Sequence, residues 1–332
     1  MIIAGDIGGT NTRLVCAEKD EEGRQFRFEK DYLNANFSSF TPILESFFSE
    51  AGVNHEIASA CFAVAGPVIT GQASITNLPW VISENEICQH FHISKVKLIN
   101  DFIAVGYGID RLSYDDILVL QQGSSDRAIS SNPDAAIIGA GTGLGVAHRV
   151  WLQEQYQVFS SEAGHVGFAP ENEVQTRLLG WLQKTNSHVS LETILSGRGL
   201  LTIYHFFHEE DGVEETEGVR QAMSCNDPAQ VITENALIGN DVLCQMTLEC
   251  FTDIYGAAAG NAALHYYPVD ELYIAGGIAP RIRQKLLPDF VEAFSSKGLM
   301  SDNMRKITIK LILNDKVGLS GAEYIAANLI DD

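Results

Sequence analysis

The chain has 332 residues, 45% of them hydrophobic, so it can bury one large core or two smaller ones. Its formal net charge of −21 argues against a nucleic-acid-binding protein, because a phosphate backbone requires a basic surface. No apolar run approaches the length that crosses a bilayer, and six cysteines without a Cys-x-x-Cys pair indicate reduced thiols in a cytoplasmic protein rather than a disulfide framework.

The first predicted element is a strand over residues 2–7, which turns through two glycines into a second strand near 12–17. Glycines lack Cβ atoms, so the backbone N–H groups of such a turn can approach an anion. Asp6 lies at the end of the strand, where its carboxylate can hold Mg²⁺ through water. A hairpin without a ligand would use the same residues, and both interpretations stay open here. The candidate phosphate-binding residues are Gly5, Asp6, Ile7, Gly8, Gly9, Thr10 and Asn11.

Apolar periodicity predicts the other elements of the first third of the chain. Five apolar residues at helical spacing, between Phe40 and Phe48, predict a helix near 40–51. The remaining predictions are strands near 26–32, 58–64 and 95–99 and a short helix near 84–92.

Asn100 and Asp101 directly follow the apolar strand Val96–Ile99. Ligands of open α/β sheets bind beyond the carboxyl ends of strands, so this position suits catalysis. The Asp101 carboxylate can accept a hydroxyl proton as that oxygen attacks a γ-phosphorus, while Asn100 orients a neighbouring hydroxyl. The alternative is that Asp101 is only the N-cap of the helix that follows it.

A second glycine cluster lies between predicted strands near 134–139 and 144–151. Its spacing differs from a dinucleotide fingerprint, because the third glycine comes one position early and a strand follows instead of a helix. The chain contains no Gly-Lys pair, which excludes a Walker A loop. Two similar glycine-rich hairpins therefore predict two similar lobes, each presenting a turn to one phosphate chain. The candidate phosphate-binding residues here are Gly139, Gly141, Thr142 and Gly143.

The last third of the chain is predicted to be helical up to a third glycine element. A long helix near 239–266 contains a run of small residues at 256–263, which would let a neighbouring backbone come close. A strand near 271–275 then runs into Gly276 and Gly277, which could hold a flat adenine or a ribose, and Pro280 is placed to begin a helix. A plain strand-to-helix connection would have the same sequence. Further predicted elements are strands near 156–160 and 307–313 and a final helix near 319–330, which we expect to pack on the first lobe.

Three polar residues in the second half have side chains that could bind the hydroxyl groups of a ligand. A carboxylate such as Glu162 or Glu192 can accept bonds from two vicinal hydroxyls, and His165 supplies one donor and one acceptor. Each of these residues, taken alone, could equally be structural. Asn77, in the segment Thr76–Trp80, is a further candidate for the wall of the pocket.

The motifs, in their order along the chain, resemble those of the bacterial ATP-dependent glucokinases, which belong to the actin-like, hexokinase-type ATPase superfamily. The three glycine motifs that carry the resemblance are Gly-Asp-Ile-Gly-Gly-Thr-Asn, Gly-Ala-Gly-Thr-Gly-Leu-Gly and Ile-Ala-Gly-Gly-Ile. The three other matching segments are Ile99–Phe102, Glu162–Val166 and His188–Glu192 with Leu195-Ser196-Gly197 behind it. The cysteine-rich zinc loop of the related sugar-kinase and repressor family is absent from the sequence.

The resemblance implies an α/β fold of the two-lobed actin-like ATPase (ribonuclease H-like) type, with a cleft between a small and a large domain. The small domain would contain residues 1–102 and 319–332, and the large domain 103–318 with helical insertions. It also implies ATP and Mg²⁺ as cofactors, glucose as the substrate, Asp101 as the general base and a homodimer. The glucose hydroxyls would be held by Asn100, Asp101, Glu162, His165 and Glu192.

Three alternatives remain open from the residues alone. A kinase for fructose, mannose or an N-acetylhexosamine would need the same acceptor groups, since any polyol does. A non-enzymatic sugar sensor would not need Asp101. An actin- or chaperone-like ATPase would leave Glu162, His165 and Glu192 without a purpose.

Overall fold

The computed structural model describes residues 1–19, 25–52, 56–75, 78–124 and 131–330, which fold into two compact units. The first unit is Met1–Ser113 together with Asn314–Asp332, and the second is Tyr114–Leu313. The domain ends expected at 102/103 and 318/319 stay a prediction. In the structure both positions lie inside helices that belong wholly to the first unit, Asp101–Gly108 and Val317–Asn328.

Within the described residues the strands are β1 (Ile2–Ile7), β2 (Asn11–Lys19), β3 (Gln25–Leu33), β4 (Ser59–Val64), β5 (Val68–Ile69), β6 (Gln72–Ser74), β7 (Val81–Ser83), β8 (Lys95–Asn100), β9 (Ile117–Gln121), β10 (Ala135–Ala140), β11 (Leu144–Leu152), β12 (Gln155–Ser161), β13 (Glu271–Ala275) and β14 (Thr308–Ile312).

The helices of the same described ranges are α1 (Phe40–Ala51), α2 (Glu84–Phe91), α3 (Asp101–Gly108), α4 (Glu173–Leu182), α5 (Leu191–Ile194), α6 (Gly197–Glu209), α7 (Glu217–Cys225), α8 (Pro228–Ile238), α9 (Val242–His265), α10 (Val291–Ser295), α11 (Ser301–Met304) and α12 (Val317–Asn328). None of the helices in the described part of the chain is long and apolar enough to cross a membrane.

The first unit is built on a five-stranded sheet of order β3-β2-β1-β4-β8. Strands β1, β2 and β3 form antiparallel pairs, and β1, β4 and β8 run parallel. Alternate residues face opposite sides, so Ile3, Ile7 and Phe62 pack with α1, while Ala4 and Cys61 pack with α3 and α12. The final helix therefore packs on the first unit, as predicted.

Helices α3 and α12 approach each other closely through two glycines. A Cβ on Gly108 would lie 2.0 Å from the carbonyl oxygen of Val317, and one on Gly321 would lie 1.8 Å from that of Ala104. Any side chain at either position would push the helices apart. This packing fixes α3, and with it the residues at its N-terminus, against the sheet.

The second unit repeats the same plan in a six-stranded sheet of order β12-β11-β10-β13-β14-β9. Strands β10, β11 and β12 form antiparallel pairs, β10, β13 and β14 run parallel, and β9 adds an antiparallel edge. Helix α9 is buried along most of its length against this sheet. Its Gly256 and Gly260 would place a Cβ 2.3 Å and 2.5 Å from the carbonyl oxygens of Phe290 and Phe294, which confirms the predicted close approach.

One helix prediction is wrong. Pro280 does not begin a helix, because residues 279–285 form consecutive turns in which Ile278 accepts backbone bonds from both Arg281 and Ile282. A π-helical segment follows at Leu286–Phe290, and within it Leu287 is extended, with φ −118° and ψ 130°. Leu287 precedes a proline, and residues in that position avoid helical backbone angles.

Candidate active site

The carboxyl edge of the first sheet brings two predicted site segments together. Ile7, Val64 and Asn100 are in register across β1, β4 and β8. The glycine turn after β1, the residues after β4 and the start of α3 therefore leave the sheet at the same edge. This is the edge at which α/β proteins bind ligands.

The turn after β1 is held by Asn34, which sequence reasoning missed. The Gly8 N–H donates to the Asn11 carbonyl at 3.0 Å. The Asn34 side chain donates to the Gly8 carbonyl at 2.8 Å and accepts from the Thr12 hydroxyl at 2.7 Å, and the Asn34 N–H donates to the Thr10 carbonyl at 2.9 Å. Asn34 is only 1% exposed, so these bonds form away from water. Its one sequence signal is an asparagine directly after a strand, and its partners lie more than twenty residues earlier.

The candidate phosphate-binding residues of this turn differ in exposure. Gly5 and Ile7 are buried within the sheet, and a Cβ on Gly5 would lie 2.7 Å from atoms of Leu14 and Phe62. Gly5 therefore serves close packing. Asp6, Gly8 and Gly9 are partly exposed, whereas Thr10 and Asn11 are exposed, so these five are the residues accessible to a ligand.

Asp6 has an unusual electrostatic environment. Its carboxylate faces the first turn of α12, where a Cβ on Gly318 would lie 3.4 Å from Oδ2. Burial is the largest influence on this carboxyl group and raises its pKa to about 6, although Arg13 acts in the opposite direction. Arg13 itself pairs with Asp315 at 2.6 Å and with Asp31 at 3.3 Å.

Asp6 fits the expected metal role only as a single protein carboxylate that binds Mg²⁺ together with waters and substrate phosphates. Among the described residues, no group of three or more His, Cys, Asp or Glu side chains could hold a metal ion. Mg²⁺ keeps several waters and commonly uses one or two protein carboxylates with substrate phosphates. A single carboxylate at the carboxyl end of β1 matches that arrangement and does not match an all-protein cage.

The start of α3 corrects the alternative interpretation of Asp101. Asn100 is the N-cap residue, because its Oδ1 accepts the Phe102 N–H at 2.9 Å. Asp101 is the first helical residue, and its Oδ1 also accepts the Phe102 N–H at 3.0 Å. The Asn100 Nδ2 donates to the Gly66 carbonyl at 3.3 Å, which ties the segment after β4 to this position. Asn77 lies outside the described residues.

In the second unit the glycine turn between β10 and β11 is braced on several sides. The Gly141 N–H donates to the Gly143 carbonyl at 2.8 Å, and the Gly197 N–H donates to the Gly141 carbonyl at 2.9 Å. Gly276 has φ +82°, and a Cβ there would lie 2.4 Å from the Ala140 carbonyl oxygen. The second and third glycine motifs therefore pack directly against each other.

The candidate sugar ligands of the second unit cluster around the first residue of β11. Glu162 directly precedes the short 3₁₀ turn Ala163–His165, which ends at His165. Glu162 Oε2 and His165 Nε2 are 3.9 Å apart, and both side chains are about 60% exposed. The Leu144 N–H donates to Glu192 Oε2 at 3.0 Å. A Cβ on Gly164 would lie 2.2 Å from the Leu144 carbonyl oxygen, so the 3₁₀ turn also packs on Leu144.

A short antiparallel pairing aligns the two segments that carry these side chains. Gly167 pairs with Ser190, and the Leu191 N–H donates to the Val166 carbonyl at 2.9 Å. His188, which sequence reasoning assigned no role, bonds through Nε2 to the His165 carbonyl oxygen at 2.9 Å. The structure therefore brings the segment of Glu162 and His165 and the segment of Glu192 together around Leu144 within this unit.

Comparison with known proteins gives a consistent result along the whole chain. A family model described as Glucokinase matches residues 3–329. A glucokinase of Trichormus variabilis is 40% identical over 349 aligned residues, covering 99% of both chains. A glucokinase of Yersinia enterocolitica is 35% identical and covers 96% of this chain and 94% of its own.

Solved structures agree in fold. The crystal structure of glucokinase from an Antarctic psychrotroph has a TM-score of 0.79 at 34% identity, with 98% of each chain covered. A ROK family glucokinase from Streptomyces griseus, solved with glucose and AMPPNP, has a TM-score of 0.64 at 19% identity and supports the fold alone. The predicted α/β fold of the actin-like ATPase type is confirmed. The chain therefore belongs to the glucokinase family.

Proposed function

We propose that this protein is an ATP-dependent glucokinase, which transfers the γ-phosphoryl group of ATP to the 6-hydroxyl of D-glucose. The observation that carries the proposal is the position of Asp101 at the carboxyl edge of the first sheet, where the first glycine turn also lies. The chain with this arrangement belongs to the glucokinase family. Homodimer formation and a cytoplasmic location are part of the same proposal.

Asp101 is proposed as the general base. Its carboxylate accepts the proton of the sugar 6-hydroxyl while that oxygen forms a bond to the γ-phosphorus and the bond to the β-phosphate oxygen breaks, which leaves ADP. The N-terminus of α3 stabilises negative charge on this carboxylate, through the bond from the Phe102 N–H. Asn100 caps the same helix and so fixes the direction in which Asp101 projects.

The sugar is proposed to bind through hydroxyl contacts. Glu162 and Glu192 accept hydroxyl protons, and His165 supplies one donor and one acceptor. Asn100 and Asp101 complete the set, and Asn77 is a further candidate for the wall of the pocket. A carboxylate has about four acceptor positions, so the bond from Leu144 leaves most of the Glu192 carboxylate available.

ATP is proposed to bind at the three glycine motifs. Backbone N–H groups of both hairpin turns cradle the phosphates, and the turn after β13 lies against the adenosine. Mg²⁺, held by Asp6 through water, would neutralise charge on the β- and γ-phosphates. The proposed residues are Gly5, Asp6, Ile7, Gly8, Gly9, Thr10, Asn11, Gly139, Gly141, Thr142, Gly143, Gly276 and Gly277. Of these, Gly5 and Ile7 are buried in β1 and would support the turn from within the sheet.

A substrate panel tests the proposal. ADP release is measured with Mg-ATP and glucose, fructose, mannose, N-acetylglucosamine, N-acetylmannosamine or 6-deoxyglucose. We expect turnover with glucose, and we expect 6-deoxyglucose to inhibit competitively without being phosphorylated, because it lacks the accepting hydroxyl. Turnover with another hexose alone would change the assigned substrate. Sugar binding without turnover would contradict the enzyme and favour a sensor.

A further inference from the structure

The glycine turn of the second unit and the candidate sugar ligands share one backbone position, Leu144. Its N–H donates to Glu192 Oε2 at 3.0 Å, and its carbonyl oxygen lies against Gly164, in the 3₁₀ turn between Glu162 and His165. Leu144 is also the first residue after the turn Gly141–Gly143. Any movement of this turn therefore reaches both segments that carry the sugar ligands.

The segment that carries Glu192 is attached to the turn at a second point. Helix α5 is followed by Ser196, whose hydroxyl accepts the Gly199 N–H at 3.1 Å and caps α6. At that cap the Gly197 N–H donates to the Gly141 carbonyl at 2.9 Å. The segment from α5 to α6 is thus hydrogen-bonded to both ends of the glycine turn.

Gly143 has no side chain and so leaves room for the Glu192 carboxylate. A Cβ on Gly143 would lie 2.5 Å from Oε2 and 3.2 Å from Cδ of Glu192, closer than van der Waals contact permits. Gly141, two residues earlier, has nothing within 4 Å of the same position. Neither glycine has a positive φ, so alanine fits the backbone at both sites and differs only in what its methyl group meets.

We propose that the glycine turn Gly141–Gly143 positions Glu192 for sugar binding and thereby couples the phosphate site to the sugar site. This inference rests on the proposed function, in which the turn binds phosphate and Glu192 binds a sugar hydroxyl. A nucleotide that orders the turn fixes the Leu144 N–H and so orients the Glu192 carboxylate. Because coupling between two sites is reciprocal, bound sugar then tightens nucleotide binding by the same factor.

The first test compares two alanine variants of the turn. Glucose binding is measured by calorimetry without nucleotide for the wild type, Gly143→Ala and the matched control Gly141→Ala. We expect Gly143→Ala to weaken glucose binding about tenfold or more, the range of a lost hydrogen bond to a charged group. Gly141→Ala should stay within about twofold of the wild type. Equal glucose affinity in both variants would overturn the inference.

A double-mutant cycle shows whether the Gly143 methyl group acts through Glu192. The Glu192→Ala variant lacks the carboxylate, so adding Gly143→Ala to it should have no further effect on glucose affinity. Additive losses would contradict the inference, because the methyl group would then act by another route. If Gly143→Ala fails to fold by circular dichroism, Glu192→Asp replaces it, since the shorter side chain withdraws the carboxylate from Leu144 but keeps its charge.

The coupling itself is measured with ADP as the probe. ADP affinity is determined with and without saturating glucose, and we expect glucose to tighten ADP binding in the wild type but not in Glu192→Asp. Equal ADP affinities with and without glucose in the wild type would overturn the coupling. Failure of the proposed function is distinguishable, because it shows in the wild type itself, which would then not phosphorylate glucose, whether or not it binds it.

Discussion

Replacing Asp6 by asparagine removes the charge of a partly buried carboxylate and should stabilise the folded protein. Burial raises the pKa of Asp6 to about 6 from an ordinary value of 3.8. At pH 8 the group is ionised in both the folded and the unfolded chain, but the folded chain holds that charge in a poorly hydrated place. Asparagine has nearly the same shape and no charge to bury.

The size and sign of the effect follow from linkage. A difference of about 2 pKa units corresponds to about 3 kcal/mol, at about 1.36 kcal/mol per unit. Between pH 3.8 and about 6 the folded chain binds more protons than the unfolded chain, so stability falls as the pH rises through this window. The Asp6→Asn variant should gain about 3 kcal/mol at pH 8, about half of that at pH 5, and almost nothing below pH 3.8.

Urea unfolding of the ligand-free protein at pH 8 and pH 5 measures the gain. The matched control is Asp302→Asn, whose side chain is 92% exposed and which should change the free energy of unfolding by less than about 0.5 kcal/mol. If Asp6 holds Mg²⁺, Asp6→Asn should lose kinase activity. The protein would then keep Asp6 for its function although the carboxylate lowers the stability of the fold. Equal or lower stability of Asp6→Asn at pH 8 would refute the reasoning.

Two further predictions concern the turns. Asn34→Ala should lower the free energy of unfolding by about 2–3 kcal/mol and raise the KM for ATP, because the Gly8 carbonyl and the buried Thr12 hydroxyl lose their partner; unchanged unfolding and ATP kinetics would contradict this role. Gly276→Ala should destabilise the folded protein by more than about 2 kcal/mol, because Gly276 has a positive φ and an added Cβ would collide with Ala140. The control Gly180→Ala, in an open part of α4, should stabilise it by about 0.5–1 kcal/mol. The melting temperatures of the two variants should therefore shift in opposite directions.

Local sequence signals predicted the elements that carry the site. The strand Ile2–Ile7 and the helix Phe40–Ala51 have the predicted bounds, because a mainly apolar strand and a clear helical period each end at glycine. The motif order also predicted the glucokinase family and the fold, both of which are confirmed. The role of each site residue stays a prediction.

Features that depend on distant partners could not be predicted. Asn34 acts on a turn more than twenty residues earlier in the chain, and only the β2–β3 register brings the two together. The cap of α3 proved to be Asn100 rather than Asp101, because both side chains have the chemistry of a cap and backbone geometry decides between them. The Glu192–Leu144 bond spans 48 residues and joins two motifs that the sequence presents separately.

The role of Asp101 is the central claim, and single-turnover kinetics of Asp101→Asn tests it most directly. The variant keeps the size of the side chain and an oxygen that can accept the Phe102 N–H, but it cannot accept the proton of the 6-hydroxyl. With saturating Mg-ATP and glucose, we expect phosphoryl transfer to slow by about 10²- to 10⁴-fold while the glucose dissociation constant stays within about threefold of the wild type. Phosphoryl transfer at the wild-type rate in Asp101→Asn would contradict the assignment of Asp101 as the base.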